Sequence, residues 1–305
     1  MTPGYDKKLY LLAFDHRGSF EHGLFGATPP VSEEIRAKII DLKKIIFEAN
    51  QLAIAGGAQK DISGILVDEE FGTEVAHMAI ADGVPLAMPV EHSGQEEFEF
   101  EYGSDFGSHI EAFNPTFAKV LVRYNPEGDS ALNERQTARL ATLSRWLREK
   151  GRKLLFELLV PATTKQLDHF EGHQREFDTQ LRPQLVLEII RRMQAADVEA
   201  DIWKIEGLDS SEACDAVAKQ SRAGGRDGVK CIILGRGADL DQVLTWIKLA
   251  APVEGFDGFA VGRTLWQEAL KGFVAGNLSR GDTVKTIADR YLSCIRTYEA
   301  ASSGK

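Results

Sequence analysis

Eight short apolar runs, separated by stretches of helical periodicity, constrain this chain more than any other feature. They cover residues 9–14, 62–68, 84–91, 117–124, 154–160, 202–206, 229–235 and 256–261. Several are almost continuously hydrophobic, the pattern of parallel strands covered on both faces. Helices are expected over 32–55, 134–150, 183–196, 210–221 and 240–250, with a closing helix over 282–300. The first of them opens on Ser32 followed by Glu33 and Glu34, carboxylates that suit a helix N-terminus. Eight strands alternating with helices in 305 residues predict an α/β chain folded as a (β/α)8 TIM barrel. One domain is expected over residues 1–300, with 301–305 as a disordered tail. The alternative is a doubly wound open sheet, whose dinucleotide-binding form places GxGxxG after the first strand. Here that strand runs into Asp15-His16-Arg17-Gly18-Ser19 instead.

Composition narrows the partners. Hydrophobic residues make up 43% and charged residues 27%, a globular profile, and the formal charge is −10. That charge argues against nucleic acid and anionic membrane, which reward a basic face, but leaves room for a small anionic substrate held by local arginines. Cys214, Cys231 and Cys294 form no CxxC pair and imply neither a disulfide framework nor a thiolate zinc site. The first fifteen residues lack a signal peptide's apolar core, and no run approaches the roughly eighteen apolar residues of a membrane span. A cytoplasmic protein is expected.

Polar residues gather where the strands end, the face on which barrels build their active sites. In chain order these are Asp15, His16 and Arg17; Asp68, Glu69 and Glu70; Glu91 and His92; Lys119 and Arg123; Glu157; Lys204 and Glu206; Gly235-Arg236-Gly237; and Gly262-Arg263. Lys204 stands inside a run that reads as a buried strand. Such a lysine is either paired, for instance with Glu206, or tuned toward a neutral, nucleophilic amine. If Lys119, Glu157 and Lys204 all point inward, two lysines depress each other's pKa and a carboxylate shuttles protons beside them. That set fits a Schiff-base (class I) aldolase, which needs no cofactor or metal. Gly235-Arg236 and Gly262-Arg263 offer close backbone N–H groups and guanidinium for phosphate at the place barrels often use. The plainer reading makes them tight turns with arginines paired to rim carboxylates. Two rivals stay open: a metal site from His16, His92, Glu91 and Asp68, or from His169 and His173, and an inert sugar-phosphate-binding barrel.

These residues resemble the class I tagatose-bisphosphate aldolase superfamily, which also holds sulfofructose-phosphate aldolases. Its Asp-Gln-Arg-Gly is similar to Asp15-His16-Arg17-Gly18, its Leu-Asp-Pro-Glu-Tyr-Gly to Val67-Asp68-Glu69-Glu70-Phe71-Gly72, and its Tyr-Glu-Lys-Thr-Gly to Val90-Glu91-His92-Ser93-Gly94. Its fourth-strand lysine matches Lys119, its Leu-Glu-Pro-Leu matches Phe156-Glu157-Leu158-Leu159, and its Leu-Lys-Val-Glu matches Trp203-Lys204-Ile205-Glu206. Its Gly-Arg-Ala-Thr-Trp resembles Gly262-Arg263-Thr264-Leu265-Trp266. His16, His92 and Arg236 depart from the pattern. With the Asp-His-Arg-Gly start, they bring the chain closer to the 5-dehydro-2-deoxyphosphogluconate aldolase branch of inositol catabolism, found alone or fused to a sugar kinase. The resemblance implies cleavage of a phosphorylated ketose to dihydroxyacetone phosphate and malonate semialdehyde, and a homo-oligomer. It implies Lys204 as nucleophile, Glu157 as proton shuttle, and Lys119 and Asp15 as polarising groups. Gly235, Arg236, Gly262 and Arg263 are expected at the phosphate, Arg17 or Arg123 at the carboxylate, and His16, Asp68 and Glu91 elsewhere around the substrate. Tagatose bisphosphate and sulfofructose phosphate remain alternative substrates.

Overall fold

The computed structural model describes residues 2–303. Its strands are β1 (Leu9–Ala13), β2 (Ser63–Leu66), β3 (Leu86–Pro89), β4 (Phe117–Arg123), β5 (Lys153–Leu159), β6 (Ile202–Glu206), β7 (Lys230–Leu234) and β8 (Phe256–Val261). Neighbours pair in parallel in chain order, and β8 pairs back onto β1 through Leu9–Gly258 and Leu12–Val261. This closure excludes the open sheet and gives a single (β/α)8 barrel.

The helices are α1 (Gly18–Phe25), α2 (Glu33–Ala55), α3 (Glu69–Asp82), α4 (Phe106–Phe113), α5 (Ser130–Glu149), α6 (Thr164–His169), α7 (Gln174–Glu176), α8 (Arg182–Ala195), α9 (Ser211–Arg222), α10 (Leu240–Ala250), α11 (Arg263–Val274) and α12 (Arg280–Ser302). Local chemistry sets their starts. Ser32 caps α2 by accepting from the Ile35 N–H, as Ser210 does for Ala213 and Asp239 for Gln242. Asp129 accepts from Leu132 N–H, so α5 begins at Ser130, ahead of the expected 134. Ser279 likewise starts α12 before residue 282. The expected tail at 301–305 is corrected: α12 runs through Ser302, which is buried, and residues 304–305 lie outside the described residues. Tyr291 and Tyr298 of that helix donate to the carbonyls of Tyr10 and Phe256, locking α12 onto the first and last strands.

The two-residue period of the strands divides their side chains. Tyr10, Leu12, Val120, Phe156, Trp203, Ile205, Ile233 and Phe259 face outward into the shell packed by the helices. Leu9, Leu11, Phe117, Leu155, Ile202 and Ile232 face inward and fill the barrel, with Tyr5 edge-on to Phe117 at 5.0 Å. Gly258, at φ +146, lies where a Cβ would stand 1.9 Å from the Leu9 carbonyl oxygen; only glycine fits this strand junction. Toward the C-terminal ends the inward positions turn small, at Ala13 and Ala260, or charged, at Lys119, Glu157 and Lys204. The packed interior therefore stops below a cavity.

Candidate active site

That cavity measures roughly 350 Å³ and opens at the C-terminal ends of the strands. Its floor is a chain of buried charges. Lys119 Nζ, on β4, contacts Asp15 Oδ2 at 2.8 Å, Glu91 Oε1 at 2.5 Å and Glu157 Oε2 at 3.0 Å. The other Glu157 oxygen, Oε1, lies 2.8 Å from Lys204 Nζ. Strand register produces this last contact, because Glu157 on β5 sits directly beside Lys204 on β6. The sequence expectation that Lys204, Glu157 and Lys119 converge is thus met in space. Lys204's partner is Glu157 and not Glu206.

Two lysines here do not simply depress one another. Burial favours a neutral Lys119, but Asp15, Glu157 and Glu91 outweigh it and hold its pKa well above the ordinary lysine value. Lys119 is a fixed cation. Burial likewise pushes Asp15 and Glu157 up, yet the charge of Lys119, reinforced by Lys204, holds both below the ordinary carboxylate range. Glu91 goes the other way: burial dominates, Asp15 adds to it, and its pKa is raised despite Lys119. Its second oxygen, Oε2, is buried without a hydrogen-bond partner. His16 stands edge-on to Trp266 and is pushed down to about 4, chiefly by burial, with Arg263 and Lys204 contributing. Its imidazole is neutral at neutral pH.

The four arginines divide into two kinds. Arg17 is committed: it donates to Glu101 Oε2 at 2.8 Å and to the Glu91 carbonyl at 3.2 Å. Arg236 is also committed, 2.6 Å from Asp178 and 2.9 Å from Glu206. Both line the cavity, and each already has carboxylate partners. Arg123 donates to the Gln95 carbonyl at 2.8 Å, and neither it nor Arg263 has an ion pair among the described residues. Arg263 is exposed at the start of α11, beside the turn Gly235-Arg236-Gly237-Ala238. That turn is closed by the Ala238 N–H donating to Gly235 O, and the Thr264 hydroxyl donates to Ala238 O. A Cβ on Gly237, at φ +73, would meet the Arg263 guanidinium at 3.2 Å, and one on Gly262 would meet Ala13 O at 2.5 Å. The glycines at the ends of β7 and β8 thus let backbone and arginine close up together.

Asp68 does not line the cavity. It is fully buried, caps α3 by accepting from the Phe71 N–H at 2.9 Å, and is ion-paired with Lys43. Lys43 donates further to the carbonyls of Phe14, at 2.6 Å, and His16, at 3.2 Å, fastening the loop that carries Asp15. Sequence reading missed Lys43, although it interrupts the buried stripe Ile39, Leu42, Ile46 of α2, which was its signal. The alternative metal set is not gathered: Asp68 and Glu91 are turned to lysines, and no group of three or more His, Cys, Asp or Glu side chains among the described residues is arranged to hold an ion. His169 ends α6 while His173 lies beyond it, 3.3 Å from Glu176, so they do not share a helix face.

The long loop after β3 walls the cavity through Gln95, Glu97 and Phe98, while the segment from α6 to α8 stands behind Arg236. Residues 94–101 fold back as a hairpin in which the His92 N–H donates to Glu99 O and the Glu101 N–H to Val90 O. Glu97 is clamped by Arg135 and Arg139 of α5, and Phe100 stacks on Phe106 at 4.3 Å. The segment from α6 to α8 includes one wide turn, Phe177–Leu181, that presents Asp178 to Arg236. Buried Arg182 donates to Gly207 O at 2.9 Å, joining this segment to the end of β6.

No helix among the described residues is long and apolar enough to cross a membrane. Comparison with solved structures places the fold among aldolase-like barrels. Fructose-bisphosphate aldolase from Plasmodium falciparum, solved in complex with TRAP and a small-molecule inhibitor, superposes with a TM-score of 0.67. The match covers 97% of this chain and 91% of that one at 12% identity. The protein Cgl0159 from Corynebacterium glutamicum superposes with a TM-score of 0.60, at 16% identity over 95% of this chain and 87% of that one. At these identities the likeness is one of fold. No curated protein matches the chain. A family model described as an uncharacterized protein conserved in bacteria (DUF2090) matches residues 3–302, and the chain belongs to that family.

Proposed function

We propose that the protein is a Schiff-base aldolase acting on a phosphorylated ketose. The observation that carries this reading is the buried Lys204 amine 2.8 Å from Glu157, whose other oxygen rests 3.0 Å from the fixed cation Lys119. Glu157 takes the Lys204 proton as substrate enters, and the neutral amine attacks the ketone carbon. Loss of water from the carbinolamine, with Glu157 returning the proton to the departing oxygen, leaves an iminium. That iminium draws in the electrons of the adjacent carbon–carbon bond. In this reading Lys119 and Asp15, which line the cavity, hold the substrate hydroxyls. Arg263, with the glycine turns at the ends of β7 and β8, offers the phosphate site, and Arg123 offers a second positive group. The aldolase-like fold supports this chemistry without fixing the substrate.

The finer reading is 5-dehydro-2-deoxygluconate 6-phosphate as substrate. Lys204 adds to its C5 ketone, the C3 hydroxyl loses its proton, and the C3–C4 bond breaks. Malonate semialdehyde leaves, and the enamine of dihydroxyacetone phosphate remains on the enzyme. Arg263 and Arg123 then take its phosphate and carboxylate ends. The test is incubation with dihydroxyacetone phosphate, reduction with borohydride and peptide mapping. A mass increase on Lys204, lost in Lys204→Ala, is expected. Cleavage that survives in Lys204→Ala, or an unmodified Lys204 with activity lost to a chelator, refutes the reading.

A further inference from the structure

We infer that Glu91 is the acid–base group for the carbon–carbon step, exchanging a proton through its Oε2 with the substrate hydroxyl that becomes the aldehyde oxygen. The inference rests on the Schiff-base reading and deepens it. Three carboxyls line the floor of the cavity, and their hydrogen bonding separates them. Glu157 has both oxygens occupied by lysines, Oε2 by Lys119 and Oε1 by Lys204. Asp15 gives Oδ2 to Lys119 and keeps Oδ1 3.7 Å from the His16 ring nitrogen. Glu91 alone combines one engaged oxygen, at 2.5 Å from Lys119, with a buried oxygen that has no partner. An unpartnered carboxylate oxygen out of water is costly unless something fills its need, and a substrate hydroxyl does so by donating to it.

Position supports the same division. Glu157 adjoins Lys204 and serves the nitrogen end of the substrate. Glu91 follows β3, on the far side of Lys119 from the nucleophile, where the departing aldehyde half has to lie once the ketone carbon is bound to Lys204. The charged groups around it are Asp15 from the β1 end, Lys119 from β4, Glu157 across Lys119 on β5, and Arg17, which donates to its backbone carbonyl and adds positive charge nearby. Burial raises the Glu91 pKa while the other two carboxyls are held low, so Glu91 holds a transferred proton better than either.

In cleavage, the hydroxyl O–H bond breaks and its proton passes to Glu91 Oε2. The O–H electron pair becomes the new C=O bond, and the electrons of the broken carbon–carbon bond form the enamine on Lys204. Condensation runs the same transfers backward: the enamine carbon bonds to the aldehyde carbon as Glu91 protonates the aldehyde oxygen. No outside oxidant or reductant is involved.

The test compares wild type with Glu91→Gln, which keeps the size and a polar contact for Lys119 but cannot carry the proton. Each is reduced with borohydride in the presence of dihydroxyacetone phosphate. Each is then assayed for condensation of dihydroxyacetone phosphate with short aldehydes, malonate semialdehyde and glyceraldehyde 3-phosphate among them. The expected result is Lys204 trapping within a fewfold of wild type and condensation slowed by roughly 10²–10⁴-fold, the usual range for one acid–base group. The alkaline limb of the wild-type condensation rate–pH profile, where Glu91 loses the proton it delivers, should also vanish in the variant. Condensation within threefold of wild type overturns the inference and leaves the Schiff-base reading standing. Equal loss of trapping and condensation assigns Glu91 to support of Lys119 and also overturns it. Wild type that traps dihydroxyacetone phosphate yet condenses with no aldehyde removes the step assigned to Glu91. No adduct in wild type overturns both proposals.

Discussion

Replacing Lys119 with methionine tests whether the floor of the cavity is held by charge. The substitution keeps an unbranched side chain but removes the one cation in contact with Asp15 and Glu91, while Lys204 touches only Glu157. Removing one partner of a buried ion pair costs about 3–5 kcal/mol. Protonation sets a ceiling on that cost. A carboxyl with an ordinary pKa of 4.5 takes up a proton at pH 7 for about 3.4 kcal/mol, at 1.36 kcal/mol per unit. At pH 5 the same protonation costs only about 0.7 kcal/mol. If one carboxyl of the cluster protonates in the variant, the loss of stability relative to wild type is about 3.4 kcal/mol at pH 7 and falls to about 1 kcal/mol or less at pH 5.

The wild type follows the opposite sign for two of these groups. Asp15 and Glu157 have lowered folded pKa values, so their stabilisation is complete above their ordinary values of 3.8 and 4.5 and is lost as pH falls through the lowered ones. Lys119 has a raised value, so its contribution is complete below 10.5 and is lost only as pH rises through the folded value. Between about pH 5 and 10 these three contributions are therefore intact in wild type. Urea unfolding at pH 7 and pH 5, followed by fluorescence of the buried Trp203 and Trp266, measures the difference. Lys204→Met is the control, since Glu157 then keeps Lys119; its cost should be less than half as large. A loss below 1 kcal/mol at pH 7, or the same loss at both pH values, refutes the argument.

Asp68→Asn keeps an acceptor for the α3 cap but strands the Lys43 ammonium, so it should lose about 3 kcal/mol in urea unfolding while the substrate KM stays within twofold. A large rise in KM with unchanged stability would return Asp68 to the substrate. Arg263→Ala should weaken calorimetric binding of dihydroxyacetone phosphate roughly 10–150-fold, the equivalent of about 1.5–3 kcal/mol for hydrogen bonds to a charge, with the unfolding midpoint unchanged. Arg236→Ala should show the reverse emphasis. It leaves buried Glu206 with Arg182 at 3.9 Å and Asp178 without its 2.6 Å partner, so the midpoint falls and phosphate affinity changes less. Equal effects of the two substitutions on binding would make both arginines phosphate ligands.

The barrel was legible in the sequence because its strand order is its chain order and its strands are nearly continuous apolar runs between stretches of helical period. Counting inward from Phe117 gives Lys119, Leu121 and Arg123; from Leu155, Glu157 and Leu159; from Ile202, Lys204 and Glu206. That parity brings together the nucleophile and its neighbours without any knowledge of loops. Asp68 illustrates what parity leaves out. It too stands two residues beyond an inward position, Leu66, yet it turns away because the Phe71 N–H and Lys43 compete for its oxygens. One of those partners comes from α2, twenty-five residues away, and only packing reveals it. The same holds for Arg17 and Arg236, whose carboxylate partners Glu101 and Asp178 lie in segments without strong periodicity. Helices α3 and α11 escaped because they start within a residue or two of a strand end, leaving no punctuating loop.

Those two committed arginines explain how long loops shape a site on a rigid barrel. Arg17 joins the β1 end to the 94–101 hairpin through Glu101, and Arg236 joins the β7 end to the segment before α8 through Asp178. Each pair leaves its arginine partly screened, on the rim of the cavity and not at its floor. These pairs are not free surface contacts, since Arg17 is 11% exposed and Glu206, the second partner of Arg236, only 3%. They also have a geometric effect, because each ties a segment to a barrel arginine that lines the cavity above Lys204, Glu157 and Lys119. Every ion pair among these three depends on a low local dielectric, and a segment that swings away raises it. Loosening Arg17 or Arg236 should therefore reach Lys204 only indirectly, because neither arginine has an ion pair with the lysine or with Glu157.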